Sequence, residues 1–72
     1  PEIDEDIHER LKYILESLPE KQREVLLLHV VEKKKVREIA EQMDIAETTV
    51  KTHFQRALAI LRNNLKFVLF GI

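Results

Sequence analysis

Apolar residues recur along most of this chain at three- and four-residue spacing, the period of helices buried along one side. Ile3, Ile7, Leu11, Ile14, Leu15 and Leu18 set the first such stripe and predict a helix from about Asp4 to Ser17. Acids crowd its first turn, where the helix dipole favours them. Pro19 stops that helix and suits the first turn of a second, from about Pro19 to Val31. Val25, Leu26, Leu27, Leu28, Val30 and Val31 make this second stretch apolar on nearly every side, so it is expected to be the central helix, covered from several directions. The run Lys33-Lys34-Lys35 marks a connection to a short third helix, Val36 to Met43, with Val36, Ile39, Ala40 and Met43 inward. Asp44-Ile45-Ala46 then reads as a tight turn, and a fourth helix runs from about Glu47 to Asn64 or beyond. No internal repeat or low-complexity segment interrupts the pattern. The expected fold class is all-α, a small four-helix domain.

The fourth helix has two unlike sides. At about 100° per residue, Val50, Phe54, Ala57, Leu61 and Leu65 fall within roughly 80° of one another and form an inward stripe. Thr48, Thr52, Gln55 and Ala59 lie opposite, with Lys51 and Arg62 along one edge and Arg56 and Asn63 along the other. Small hydroxyls, an amide and flanking cations suit a helix lying in the DNA major groove. Gln and Arg bond base edges in pairs, and Thr reaches bases or phosphates while its methyl touches thymine. Polar outer faces are common, so the meaning of this one depends on what precedes it.

What precedes it is Ile39-Ala40-Glu41-Gln42-Met43-Asp44-Ile45-Ala46-Glu47-Thr48-Thr49-Val50. Ala40 is small enough for two helices to cross closely. Asp44, four residues on, stands where the turn needs a left-handed backbone, which Asp tolerates better than most residues with a β-carbon. Ile45 plugs the angle between the helices and Val50 anchors the second to the core. This is the spacing of a helix-turn-helix, here over about residues 36–64, with its recognition helix starting near Glu47.

Length and charge sharpen that reading. Seventy-two residues make one domain near the lower limit for independent folding. The chain begins at Pro1 and not at Met, and the expectation is a fragment of a longer protein. The net charge of −1 hides a division. Residues 1–20 carry seven acids against Arg10 and Lys12, whereas residues 48–72 carry Lys51, Arg56, Arg62 and Lys66 and no acid. Nucleic-acid binders need positive potential where phosphates sit, not a high overall pI. Lys35, Arg37, Thr49 and Lys51, near the starts of the third and fourth helices, are the expected phosphate contacts. Thr52, Gln55 and Arg56 are expected to contact base edges, and Thr48, on the same outward face, to belong to the DNA-binding set.

Other chemistry finds little support. His8, His29 and His53 fall on three separate helices without a carboxylate at ligand spacing, and are expected to be surface or packing residues, not metal ligands. With no cysteine, there is no disulfide frame or thiolate metal site. The single glycine, Gly71, lies in no phosphate-cradling loop, and Glu41 and Glu47 are better solvated or capping groups than an acid–base pair. The expectation is therefore no enzyme, no metal and no cofactor. An apolar run such as Phe67 to Phe70 is far too short to span a bilayer, and the opening residues lack the charged-then-apolar pattern expected of a signal peptide. The apolar end from Phe67 to Ile72 is expected either to fold back onto the first or second helix or to dock onto a partner.

The segments Leu18-Pro19-Glu20-Lys21-Gln22-Arg23-Glu24-Val25, Glu38-Ile39-Ala40-Glu41, Thr49-Val50-Lys51-Thr52-His53 and Arg56-Ala57-Leu58 resemble region 4 of extracytoplasmic-function (ECF) sigma factors, the dissociable promoter-recognition subunits of bacterial RNA polymerase. The likeness covers Leu18 to Leu65, and the helix before it is similar to the family's usual lead-in. It implies a four-helix unit that binds double-stranded promoter DNA at the −35 element and contacts the flap of the polymerase β subunit. It also implies work in the bacterial cytoplasm, at the nucleoid, and masking by an anti-sigma factor. Lys33 and Lys35 stand where that family commonly has Gly and a capping Ser, and Lys34 where an apolar residue is usual, so the third helix is expected to lack a good side-chain cap. Ala46 replaces a frequent Ser cap of the recognition helix, with Glu47 compensating through the dipole. His53 and Leu58 replace Arg, which implies the loss of two cationic contacts. The LuxR-like DNA-binding domain of response regulators shares the Glu-Val opening and the Thr-Val-Lys-Thr-His segment. The full helix before Leu18-Pro19, the Arg56-Ala57-Leu58 segment and the long fourth helix favour the sigma reading. A helical protein-interaction module that has lost DNA binding is a further alternative, disfavoured because Lys51, Thr52, Gln55 and Arg56 are presented together.

Overall fold

A computed structural model describes residues 2–70, with side-chain surroundings for residues 8–64. Four helices follow one another: α1 (Glu2–Ser17), α2 (Glu20–Val30), α3 (Val36–Met43) and α4 (Glu47–Phe70). The fourth continues well past Asn64. The expected roles of Ile3, Ile7, Leu65 and the end from Phe67 to Ile72 lie outside the residues whose side chains are described.

Each break between helices has a local cause. Pro19 disfavours helical backbone at Leu18, so α1 stops at Ser17. Pro19 itself, at φ −54° and ψ 146°, stands just before α2, and its carbonyl accepts the Arg23 N–H at 2.9 Å. The Ser17 hydroxyl folds back to the Ile14 carbonyl at 2.7 Å, closing the last turn of α1. Leu18, extruded by the bend, is buried.

The α3–α4 turn follows the sequence expectation closely. Asp44 has φ 56° and ψ 50°. The Ile45 N–H reaches the Ala40 carbonyl at 3.0 Å and the Asp44 N–H reaches that of Glu41 at 3.3 Å. These two bonds form a Schellman motif, which satisfies carbonyls at the end of α3 and turns the chain sharply into α4. Ile45 packs against the core cluster that contains Ala40.

The α2–α3 connection holds a feature the sequence concealed. Lys33 also lies in the left-handed region, at φ 57°. A β-carbon there costs about 1–2 kcal/mol. Lys33→Gly should therefore raise stability by about 0.5–1 kcal/mol, after the extra freedom glycine gives the unfolded chain is subtracted. A urea midpoint that stays put or falls would show that the turn tolerates lysine without cost. At the start of α3 the expected missing cap is half supplied. The Lys35 side chain has no acceptor, but Glu38 Oε1 accepts the Lys35 backbone N–H at 2.8 Å, the reverse half of a capping box.

Two apolar clusters hold the helices together. Val25 and Leu28 of α2, Ile39 and Ala40 of α3 and Val50 of α4 form the first, which is the core of the helix-turn-helix. Leu18, Leu26 and Ala57 form the second, with Leu15 of α1 packed against it. Phe54 packs against both. The helix with the most extensive contacts to the others is α4, which meets α1, α2 and α3. The expectation for α2 needs correcting: Val25, Leu26 and Leu28 are buried, but Leu27 is exposed, and Val30 and Val31 retain 55% and 67% of their surface. Hydropathy could not separate the two helices, because the run in α2 is long enough to face the core with one side and solvent with the other.

Candidate DNA-binding face

The burial of α4 splits as its sequence predicts. Val50 and Ala57 are essentially wholly buried, and Phe54 and Leu61 are half-buried. Thr48, Lys51, Thr52, Gln55, Arg56 and Ala59 are exposed, as are Arg62 and Asn63. The inward residues fix the rotation of the helix about its axis, so the exposed set is held on the opposite side by packing. Thr49, on the flank, is half-buried.

The hydroxyl of Thr52 donates to the Thr48 carbonyl at 3.0 Å. Its proton is thereby committed to the helix, while its oxygen still offers lone pairs and its methyl remains. Thr52 can thus accept from a base amine or touch a thymine methyl. It donates to a phosphate only by giving up its own helix bond.

Among the basic residues, Lys35 and Arg37 are exposed at the start of α3, Lys51 on the second turn of α4 and Arg56 one turn and a half further on. The first turn of α3 and that of α4 carry free backbone N–H groups, and both suit anionic oxygens. The two helices are tied to one core through Ile39, Ala40 and Val50.

Two positions behave differently from what their sequence context implied. Leu58 is half-buried and packs against the cluster of Leu18, Leu26 and Ala57. The residue there serves the core, and replacing Arg costs no contact on the exposed face. His53 is likewise half-buried, with Nδ1 enclosed and without a hydrogen-bond partner. His29, expected to be a surface or packing residue, is a packing one, with partners the sequence did not name. Its Nδ1 lies 2.9 Å from the Lys34 carbonyl, and its ring meets that of Phe54 edge-on at 4.9 Å. Only the fold brings these groups together, and no local signal announces it.

Among the described residues, no group of three or more His, Asp or Glu could hold a metal ion, and no helix is long and apolar enough to cross a membrane. No curated protein and no solved structure gives a significant match to the chain. The family model for Sigma-70, region 4, in contrast, matches residues 8–61, from α1 through most of α4. That span contains the Schellman turn, the starts of α3 and α4, and the exposed α4 residues from Thr48 to Ala59. The LuxR-like alternative gives way to it, and the family is one of DNA-binding domains, not enzymes. On the match and the geometry together, the chain belongs to the sigma-70 region 4 family, the sigma-factor domain that binds promoter DNA at the −35 element.

Proposed function

We infer that this is the region 4 domain of an ECF-type sigma factor, using α4 as the recognition helix in the major groove of the −35 element. The reading rests on one observation above all. Thr48, Lys51, Thr52, Gln55 and Arg56 are exposed together on a helix whose opposite side, Val50 and Ala57, is essentially wholly buried. In this reading Thr52, Gln55 and Arg56 face base edges with Thr48 beside them on the same face, while Lys35, Arg37, Thr49 and Lys51 hold phosphates. The ECF assignment is supported by the segments around Leu18-Pro19 and Thr49-Val50-Lys51. Work in the cytoplasm at the nucleoid follows from promoter binding.

The domain meets RNA polymerase as well as DNA. We place that contact at the β-subunit flap, and the exposed Leu27 and Val30 of α2 with Val31, the residue that follows the helix, support an apolar docking surface. An anti-sigma factor that covers this surface or the α4 face would silence the domain.

Salt tests the DNA reading directly. With about three to five phosphate contacts, log K for a −35 duplex should fall against log salt with a slope of roughly −3 to −4.5. Fluorescence anisotropy across a range of salt concentrations measures it, and a slope near zero would defeat the reading. The polymerase contact is tested separately, by comparing capture of core enzyme with and without its β flap. Equal capture would place the contact elsewhere.

A further inference from the structure

We propose that His29 is a positioning residue for DNA binding: its ring clamps the α2–α3 connection against the recognition helix and so fixes where the basic groups at the start of α3 meet the backbone of the duplex. The proposal rests on the DNA-binding reading above and adds a component to it.

Three observations converge on this side chain. First, a backbone carbonyl can only accept, so the 2.9 Å contact to the Lys34 oxygen requires His29 Nδ1 to carry the proton. Secondly, the ring stands at 80° to that of Phe54, with centroids 4.9 Å apart, a favourable edge-to-face pair. Thirdly, His29 shares a cleft of about 100 Å³ with Val36 of α3 and Lys51, Phe54 and Gln55 of α4. Two of these residues, Lys51 and Gln55, belong to the exposed face of α4. One imidazole therefore touches the connection through a hydrogen bond and the recognition helix through a ring contact.

The connection needs such a clamp. It contains Lys33 in a left-handed conformation, with a β-carbon opposing that backbone. Its backbone is held from the α2 side by the Lys34 N–H on the Leu28 carbonyl at 3.0 Å. The His29 ring engages the other polar group of the same peptide residue, so that both the N–H and the C=O of Lys34 are bound. Lys35 follows immediately, and Arg37 two residues later. Freed of the ring, the Lys34 carbonyl turns to water and the chain before α3 gains room to relax. Lys35 then shifts relative to Lys51, and a phosphate contact that needs both helix starts is weakened.

Two substitutions separate positioning from mere packing. His29→Phe keeps an aromatic ring against Phe54 and removes the hydrogen bond. His29→Asn keeps a donor near the Nδ1 position and removes the ring's edge. Expected for His29→Phe is a melting temperature close to the parent's together with a salt slope shallower by about one unit, the signature of one lost phosphate contact. His29→Asn is expected to melt lower yet keep the parental slope. Overturning results are a parental slope in His29→Phe, or a change in slope that simply follows melting temperature across both variants. A second measurement needs no DNA. Nitrogen-15 NMR of the unaltered protein should show neutral His29 protonated at Nδ1, against the usual preference for Nε2, and the Lys34 and Lys35 amide signals should move in His29→Phe. An Nε2-protonated ring, or unmoved amides, would remove the clamp and with it the proposal. Should the unaltered protein bind DNA without salt dependence, the DNA reading fails on its own, and with it the positioning role, even if the NMR experiment finds the clamp in place.

Discussion

Ile39→Ala should leave this domain close to unfolding at room temperature. Ile39 is wholly buried at the centre of the helix-turn-helix, among Val25, Leu28, Ala40 and Val50. Truncating such a side chain costs about 2–5 kcal/mol, the transfer of the lost methyl groups plus the cavity they leave. A chain of this length holds roughly 4–11 kcal/mol in total. The melting temperature should therefore drop by roughly 10–30 °C, read by far-ultraviolet circular dichroism. The cavity cannot close easily, because the Schellman turn pins one end of α3 and the Glu38 cap the other. Val31→Ala is the matched control: at 67% exposure it should shift stability by no more than about 0.5 kcal/mol. If the two variants melt alike, the core does not sit where α2, α3 and α4 meet.

That contrast between Ile39 and Val31 also shows what the sequence discloses. Residues whose role is set by neighbours along the chain were legible. Asp44 followed from the spacing to Ala40 and from the few side chains that tolerate positive φ, and the turn has that geometry. The two sides of α4 followed from helical period alone, because a stripe of Val50, Phe54, Ala57 and Leu61 leaves only one way for the helix to face.

Roles set across the fold were not legible. Four consecutive apolar residues from Val25 to Leu28 suggested a central helix, yet which of them meet another helix depends on where α4 lies, and Leu27 is left outside. Leu58 counted as a missing cation because its place beside the cluster of Leu18 and Ala57 is a matter of packing. Lys33 gave no warning of its positive φ, since lysine is a poor marker for that conformation. By sequence alone, His29 stands with His8 and His53 among surface or packing residues. The Lys34 carbonyl and Phe54 are its partners, and one of them is twenty-five positions away in the chain.

For DNA recognition itself, Gln55→Ala and Arg56→Ala should each weaken binding to the preferred −35 site by about 1–3 kcal/mol, roughly 5- to 150-fold, and flatten the preference at the base pair concerned. Both side chains are exposed on the α4 face, opposite the anchors Val50 and Ala57, and neither contributes to either apolar cluster. Stability should therefore hold while specificity falls. Lys51→Ala supplies the comparison, because a phosphate contact carries no base information. That variant should lose affinity about evenly on preferred and scrambled duplexes, with a salt slope shallower by about one unit. The discriminating quantity is the ratio of affinities for the two duplexes at fixed salt. It should collapse toward one for Gln55→Ala or Arg56→Ala and stay near the parental ratio for Lys51→Ala. Equal losses on every duplex for all three would make Gln55 and Arg56 phosphate ligands, and α4 would then track the DNA backbone without reading the promoter.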